Sequence, residues 1–511
     1  MSLATVSSRA ILGIEAVPVT VETHLSNGLP GFAIVGLPET AVRESKERVR
    51  SAILNAGLDF PERRITVNLA PADLPKAGGQ YDLAIAMSIL LASGQIPHDS
   101  LNDIEIMGEL ALDGSLRRIA GAVPAILAAR SCSHSVILPR ENQAETGLVA
   151  YHRALGVDSL LEYVNHLKTG AEIPLPKPHR VTEAVAKNNG CEFLEIKGQY
   201  MARRAVQIAA AGRHNLLLIG PPGCGKTMLA QNLIRLLPPL TEKEAMEVAA
   251  IRSVSRPGIS VNPLQCRPLR SPHHSATYVA LVGGGNRANP GEVTLAHCGV
   301  LFLDEFSEFK PSALDALRES LETGEVSISR ANYRISYPAD FQLVAAMNPC
   351  PCGYASDPVR DCHCTSDKIN RYLGKLSGPL LDRIDLMVEL PSLTHAELLE
   401  RNQQGDFQTE WLHARDKVKS SHAKQNARMG KLNYALQSSE LEQHCGLSTE
   451  LRKLLADSMD EMGLSALVVH RIIKVARTIA DFDGEEDIGQ QQLLEAISYR
   501  RSPCLSRVAN T

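Results

Sequence analysis

Apolar positions divide the 511-residue chain into stretches of different periodicity. Up to about residue 165, strand-like runs (65–69, 136–138) alternate with helical ones (41–56, 83–92). Residues 168–187 break that pattern with IPLPKPHR; proline locks φ and resists helix, so a linker is expected. From 191 to about 390, short and wholly apolar runs alternate with helices, as in a parallel sheet covered on both faces. Past Pro391 the pattern is helical and highly charged. The expected division is 1–165, a linker at 166–190, an α/β core at 191–395 and a helical region at 396–511.

The third stretch carries the clearest chemistry. Residues 216–219 read as a buried strand, followed at once by GPPGCGKT and a helix at 228–237 that Pro238 stops. This is the G-x-x-x-x-G-K-[ST] phosphate loop in its strand–loop–helix setting. Gly220, Gly223 and Gly225 let the backbone bend so that its N–H groups, including that of Cys224, face phosphates. Lys226 adds a point charge, the helix N-terminus adds partial positive charge, and Thr227 offers a hydroxyl to Mg²⁺. ATP and Mg²⁺ are the expected ligands. Residues 300–303, another apolar run, end in Asp304 and Glu305, at the strand end where ligands bind. Asp304 is expected to hold the Mg²⁺ through water and Glu305 to polarise the attacking water. A third buried run, 341–347, ends in Asn348, whose amide can orient that water, although Asn is also a common turn residue. Arg383, in LLDRID, has Asp382 and Asp385 as ready ion-pair partners.

Composition narrows the class. A formal charge of −4 gives no global basic surface, so any nucleic-acid contact must come from local patches. The opening segment lacks a basic region followed by a sustained apolar run, and no stretch reaches about 18 uninterrupted apolar residues. A cytoplasmic protein with no membrane partner is expected. Eleven cysteines, most of them scattered singly, suit a reducing compartment.

The order of GPPGCGKT, RSPHHSATYVALVGGG, PGEVTLAHCGVLFLDEFSEF, PADFQLVAAMNPCPCG and SGPLLDRID resembles the magnesium-chelatase-like branch of the AAA+ ATPases, ComM/YifB type, over nearly the whole chain. The resemblance implies a doubly wound α/β sheet with a C-terminal helical lid, and a homo-hexameric ring with ATP between subunits. It implies Asn348 as a sensor and Arg383 as an arginine finger reaching the neighbour's γ-phosphate. The role implied is helicase-like branch migration on single-stranded and branched DNA, as incoming DNA is integrated in natural transformation alongside recombination proteins. A magnesium-chelatase ATPase subunit, or another remodeller not acting on DNA, is the alternative. One departure stands out. The lid arginine usual in the family falls on Leu467, which cannot touch a phosphate, so either Arg471 one turn on substitutes, with Arg477 the poorer replacement, or sensing is weak.

TVNLAPADLPKAGGQ, MGELALDG and VILP resemble the proteolytic domain of Lon, implying an α+β Lon-protease-like (ribosomal S5-like) amino-terminal domain. Its serine and lysine positions fall on Gln80 and Val123, so protease activity is not expected. Ser88 and Lys76 lie nearby, with Ser88 inside an apolar helical run.

Four further features are readable. Cys350, Cys352, Cys362 and Cys364 bring two C-x-C pairs within fifteen positions, and Gly and Pro between them let the chain fold back. Four thiolates suit tetrahedral Zn²⁺, with reduced free thiols as the alternative. Residues 325–341 read as a hairpin with Arg330, Tyr333 and Arg334 near its tip, cations and a ring suited to single-stranded DNA, or simply a solvated turn. Arg415, Lys417, Lys419, Lys424, Arg428 and Lys431 form a basic run that equally fits the exposed face of a helix. Glycines 283–285 with Pro290-Gly291 suggest a flexible pore insert.

Overall fold

A computed structural model describes residues 3–37, 39–149, 151–174, 192–255, 266–285, 288–329, 334–355, 357, 360–393, 404–501 and 504. The chain divides into two compact units, Met1–Ala186 with Glu242–Leu264, and Lys187–Thr241 with Gln265–Thr511.

The first unit is built on a seven-stranded mixed sheet. Its strand order is Gly31–Val35, Arg64–Ala70, Glu15–Ser26, Leu3–Leu12, Ile104–Ile106, Ser135–Pro139, Ala154–Val157. Leu3–Leu12 pairs antiparallel with Glu15–Ser26, which pairs antiparallel with Arg64–Ala70. The remaining neighbours are parallel. The alternation of buried and exposed residues along Leu3–Leu12 and Arg64–Ala70 shows one face on a core. The helix Asp82–Ala92 is buried on every side and fills that core. Ser88 lies within it, hydrogen-bonded to Thr23 and to the Ile85 carbonyl, and Lys76 is buried with its ammonium on the Pro71 carbonyl. Gln80 donates to the Arg9 carbonyl, and Val123 is fully buried.

One helix joins this unit from far along the sequence. Glu242–Val254, expected inside the 191–395 core, groups here instead. Its Ala249 and Ala250 pack with Val123, Ile126 and Ala129 of the helix Ala122–Cys132. The Ser253 carbonyl accepts from the Gly121 N–H, and the Ser253 hydroxyl accepts from the Val123 N–H and donates to Glu145. Two otherwise orphaned N–H groups at a helix start are thereby satisfied.

The second unit contains a five-stranded, all-parallel sheet in the order Leu269–Arg270, Val300–Leu303, Gln342–Met347, Leu216–Ile219, Leu386–Glu389. The three central strands are buried along their length, which explains their unbroken apolar sequence. Helices carry the chain onward: Gln404–Met429, Thr449–Met462, Ala466–Asp483 and Gln490–Ser498. Trp411, Val418, Ile472, Val475, Ile479 and Leu493 share one core with the sheet residues Leu216, Leu218, Phe302 and Val344. The expected hairpin forms from Glu325–Ser329 and Arg334–Pro338, with Val326, Ile328, Ile335 and Tyr337 buried on one face. Gly283–Gly284 and Asn289–Pro290 pair as a short ribbon rather than a free loop, with the Gly283 backbone too close to Asn289 and Gly291 to admit a side chain.

A buried ion pair sits inside the first unit. The Arg9 guanidinium meets Glu105 through Nε at 2.5 Å and Nη2 at 2.6 Å, and His134 Nδ1 lies 2.9 Å from the same carboxylate. Arg9→Met leaves Glu105 buried without that partner, and about 3–5 kcal/mol of local stability should be lost. Hydrogen exchange of the Leu3–Leu12 amides reads this, and Arg9→Met with Glu105→Leu should recover most of it. Unchanged protection in the single variant would contradict the assignment.

Candidate active site

Three adjacent parallel strands deliver the chemistry to one end of the sheet. Ile219 aligns with Met347 on one side and Glu389 on the other, and Leu303 aligns with Ala345. The phosphate loop, the acidic pair and Asn348 therefore leave the sheet side by side at its carboxyl end, where open α/β sheets bind ligands.

Within the loop, Gly223 and Gly225 adopt φ of 82° and 94°, a left-handed backbone that side chains disfavour, and the helix Lys226–Leu236 starts directly after. Lys226 is buried, with Nζ 2.7 Å from the Gly220 carbonyl, 2.9 Å from that of Pro221 and 3.2 Å from Asn348 Oδ1. Burial pulls its pKa below the ordinary lysine value, although Cys224 and Asp304 oppose the shift. Cys224 is itself buried, and desolvation raises its thiol, so it is a packing residue rather than a nucleophile. Thr227 Oγ1 donates to Asp304 Oδ2 at 3.2 Å, a hydroxyl and a carboxylate placed as a hard-cation pair. The glycine-lined loop and this oxygen pair fit a nucleotide and its Mg²⁺, which would neutralise phosphate charge.

Glu305 has a left-handed φ of 52°, unusual for a residue with a side chain. The backbone is held by its own N–H, which donates to Asp304 Oδ1 at 2.9 Å. Its carboxylate meets His274 Nδ1 at 2.6 Å. His274 belongs to the SPHHSATY segment, yet the sequence assigned it no role, because 31 positions separate the pair. The one available signal was the short Leu269–Arg270 strand, which pairs with Val300–Leu303 and leads into that segment.

The arginines lie elsewhere. Leu216 aligns with Leu386, so the residues before Leu386 sit at the amino end of the sheet. Asn215 confirms this, its N–H donating to Asp385 and its side-chain amide to the Arg383 carbonyl. Five strand steps, about 16 Å at roughly 3.3 Å per residue, separate that level from Gly220. Arg383 is buried, donates to the Pro379 carbonyl and pairs with Glu322 of the helix Pro311–Thr323. Burial, then the like charges of Arg318 and Arg471, lower its pKa. The ion-pair partner is thus Glu322, not Asp382 or Asp385.

Arg471 requires a correction. It bonds Asp385 Oδ1 at 2.7 Å and the Arg383 carbonyl at 3.0 Å, at the end of the sheet away from the chain's own phosphate loop. Burial alone would raise Asp385, but Arg471 and His214 hold it below the carboxylate range. So placed, Arg471 does not face the chain's own phosphate loop, and Leu467 is exposed. Arg477 is committed to Asp481 and to the carbonyls of Glu485 and Glu486.

Cys350, Cys352, Cys362 and Cys364 do converge, with their sulfurs all within 4.8 Å of one another. Cys350 to Cys352 is 3.2 Å, Cys352 to Cys362 is 3.5 Å, and Cys350 to Cys362 is 3.7 Å. Four soft donors so close suit one tetrahedral metal. Of the hairpin residues proposed for DNA, Arg334 is exposed, with Nη2 3.1 Å from Ser327 Oγ. Arg330 and Tyr333 lie outside the described residues. In the basic run, Arg428 pairs with Asp481 and Lys431 with Glu440, while Lys417 covers the Phe482 ring. Arg415, Lys419 and Lys424 are exposed on the Gln404–Met429 helix.

Comparison with known proteins decides the family. Profiles described as "Magnesium chelatase, subunit ChlI", "Subunit ChlI of Mg-chelatase" and "Magnesium chelatase, subunit ChlI C-terminal" match residues 192–398, 21–142 and 411–500. Competence protein ComM of Haemophilus influenzae is 47% identical over 502 residues, 98% of each chain. The chain belongs to the ComM/YifB type of magnesium-chelatase-like ATPases. YifB of Salmonella typhimurium is 46% identical over 503 residues, 98% of this chain and 97% of its own. The magnesium-chelatase 38 kDa subunit of Cereibacter sphaeroides is a more distant relative, 27% identical over 217 residues, 39% of this chain and 58% of its own. For this ComM/YifB-type chain the profiles thus reach the sheet, the lid helices and part of the first unit.

The distinct positions of Lys226 and Glu305 predict separable defects. Lys226→Ala should weaken nucleotide binding by about 100-fold or more, since it removes the loop's charge and its link to Asn348. Glu305→Gln should hold nucleotide within a few-fold of the parent while turnover falls about 10²–10⁴-fold, the range for a general base. Titration with a fluorescent ATP analogue beside steady-state hydrolysis separates the two. Equal losses of affinity would contradict the division.

Proposed function

We propose that the chain is a cytoplasmic ring-forming, ATP-driven motor on DNA, a homo-hexamer that drives branch migration while incoming DNA is integrated in natural transformation. The carrying observation is the opposition of the two ends of one sheet. Lys226, Thr227, Asp304, Glu305 and Asn348 gather at its carboxyl end, whereas Arg383 sits about 16 Å away at the amino end. An arginine so placed cannot serve its own phosphates, but it can serve those of a neighbour whose sheet presents the opposite end. A ring gives every site such a neighbour, and an arginine acting in trans on a transferring phosphoryl group contributes about 10³–10⁵ in rate. In this reading Thr227 and Asp304 hold Mg²⁺, Glu305 draws the proton from water, Asn348 orients that water, and the four cysteines hold structural zinc.

The DNA substrate rests on the name of the relative from Haemophilus influenzae, a competence protein, and on the hairpin that carries Arg334. Partner proteins of recombination fit the same reading. Magnesium insertion is the competing role, since one relative is a magnesium-chelatase subunit, but that match spans 39% of this chain.

Two measurements test the proposal. Turnover should rise about tenfold or more with single-stranded or four-way-junction DNA, by the differential-binding logic of coupled sites. Turnover indifferent to single-stranded, duplex and junction DNA would point to the chelatase-like role. Arg383→Ala should lower hydrolysis by about 10³-fold or more, and Glu305→Gln by about 10²–10⁴-fold. Mixed in one ring, they should restore part of it, because some interfaces then pair an intact Glu305 with an intact Arg383. Mixed rings with no recovery at any ratio would count against a trans arginine.

A further inference from the structure

Two short stretches of backbone connect the cysteine cluster to the phosphate loop. Asn348, whose Oδ1 lies 3.2 Å from Lys226 Nζ, is separated from Cys350 by Pro349 alone. Cys350 is fully buried, and the Cys504 thiol reaches the Pro349 carbonyl at 3.5 Å. Directly after Cys352 comes Gly353, at φ 90°, with its N–H on the Cys350 carbonyl at 3.0 Å. A methyl group on Gly353 would lie 2.8 Å from Cδ of Pro222 and 3.9 Å from the Asn348 amide carbon. Pro222 is the third residue of the phosphate loop. The cluster therefore touches the loop from both sides of Cys350: through Asn348 on Lys226, and through Gly353 against Pro222.

We propose that a zinc ion on Cys350, Cys352, Cys362 and Cys364 clamps the phosphate loop, so that metal occupancy sets nucleotide affinity. This rests on the zinc and nucleotide readings proposed above. The physical reason is rigidity. A tetrahedral metal fixes the directions of Cys350 and Cys352, and hence the backbone on either side of each. Asn348 and Gly353 then hold Lys226 and Pro222 in one arrangement before nucleotide arrives, and the ordering cost of binding falls. Without metal, four unligated thiols place no such constraint on the 350–353 turn. Coupling of this kind is reciprocal: if zinc tightens nucleotide binding by some factor, nucleotide must tighten zinc by the same factor.

The test uses the full chain purified without chelators. Zinc is counted by metal analysis, and a non-hydrolysable fluorescent ATP analogue is titrated against zinc-loaded and zinc-stripped protein. Zinc release to a chromophoric chelator is timed with and without the same analogue. The expected results are one zinc per chain, analogue binding weakened about tenfold on stripping, and slower zinc release when analogue is bound. The release measurement starts from loaded protein, so it does not depend on the stripped form staying folded. Gly353→Ala keeps all four thiols and should keep its zinc, yet should bind the analogue about tenfold more weakly and lose most of the effect of analogue on zinc release. A chain that takes up no zinc, as isolated or after zinc is added, overturns the zinc reading and the clamp with it. A chain that holds zinc but shows equal analogue affinity in both forms, with release indifferent to analogue, overturns the clamp alone.

Discussion

The parallel register of Leu216–Ile219 between Gln342–Met347 and Leu386–Glu389 is the constraint on which the rest of the second unit depends. Because Ile219 lies level with Met347, the phosphate loop and Asn348 emerge at the same height, and Lys226 can span them. A slip of one residue would turn the buried faces of these apolar strands and carry Asn348 out of reach of Lys226. The same register determines where the arginines lie. It sends Arg383 and Arg471 to the opposite edge, where Asp385 and Glu322 occupy them.

That opposite edge is a crowded electrostatic centre in its own right. Arg318, Arg383 and Arg471 each keep a buried Nε without a partner among the described residues. Burial, and after it the like charges of Arg318 and Arg471, lower the Arg383 pKa, while Glu322, Asp315 and Asp385 pair with Arg383, Arg318 and Arg471. An anion arriving from outside would relieve the repulsion.

Local patterns made much of this legible in the sequence. An unbroken LLLI ahead of a glycine loop has few alternatives to a buried parallel strand, and VLFL before Asp304 reads the same way. The four cysteines were legible because their spacing and turn residues permit convergence whatever surrounds them. Side-chain partners fixed by packing at long range were not. His274 reaches Glu305 only because a two-residue strand at the sheet edge brings its segment alongside. For Arg471, one turn past Leu467, the resemblance offers either a phosphate contact or weak sensing. The true direction of Arg471 depends on how its helix docks on His214 and Asp385, which no local pattern encodes. Glu322 is one of several acids on its helix, with nothing in the spacing to single it out.

The helix Glu242–Val254 has a consequence for how the polypeptide can be divided. The chain enters the first unit, leaves it, builds the phosphate loop and its helix, then returns to the first unit before going back for the acidic strand. No single cut yields two whole halves. A fragment beginning near residue 187 would carry Met246, Ala249 and Ala250 with nothing to cover them, and would leave Gly121 and Val123 in the discarded piece without their acceptor. The two units are thus interleaved in the gene as well as in the protein, so neither can be lost or exchanged as a cassette without the other.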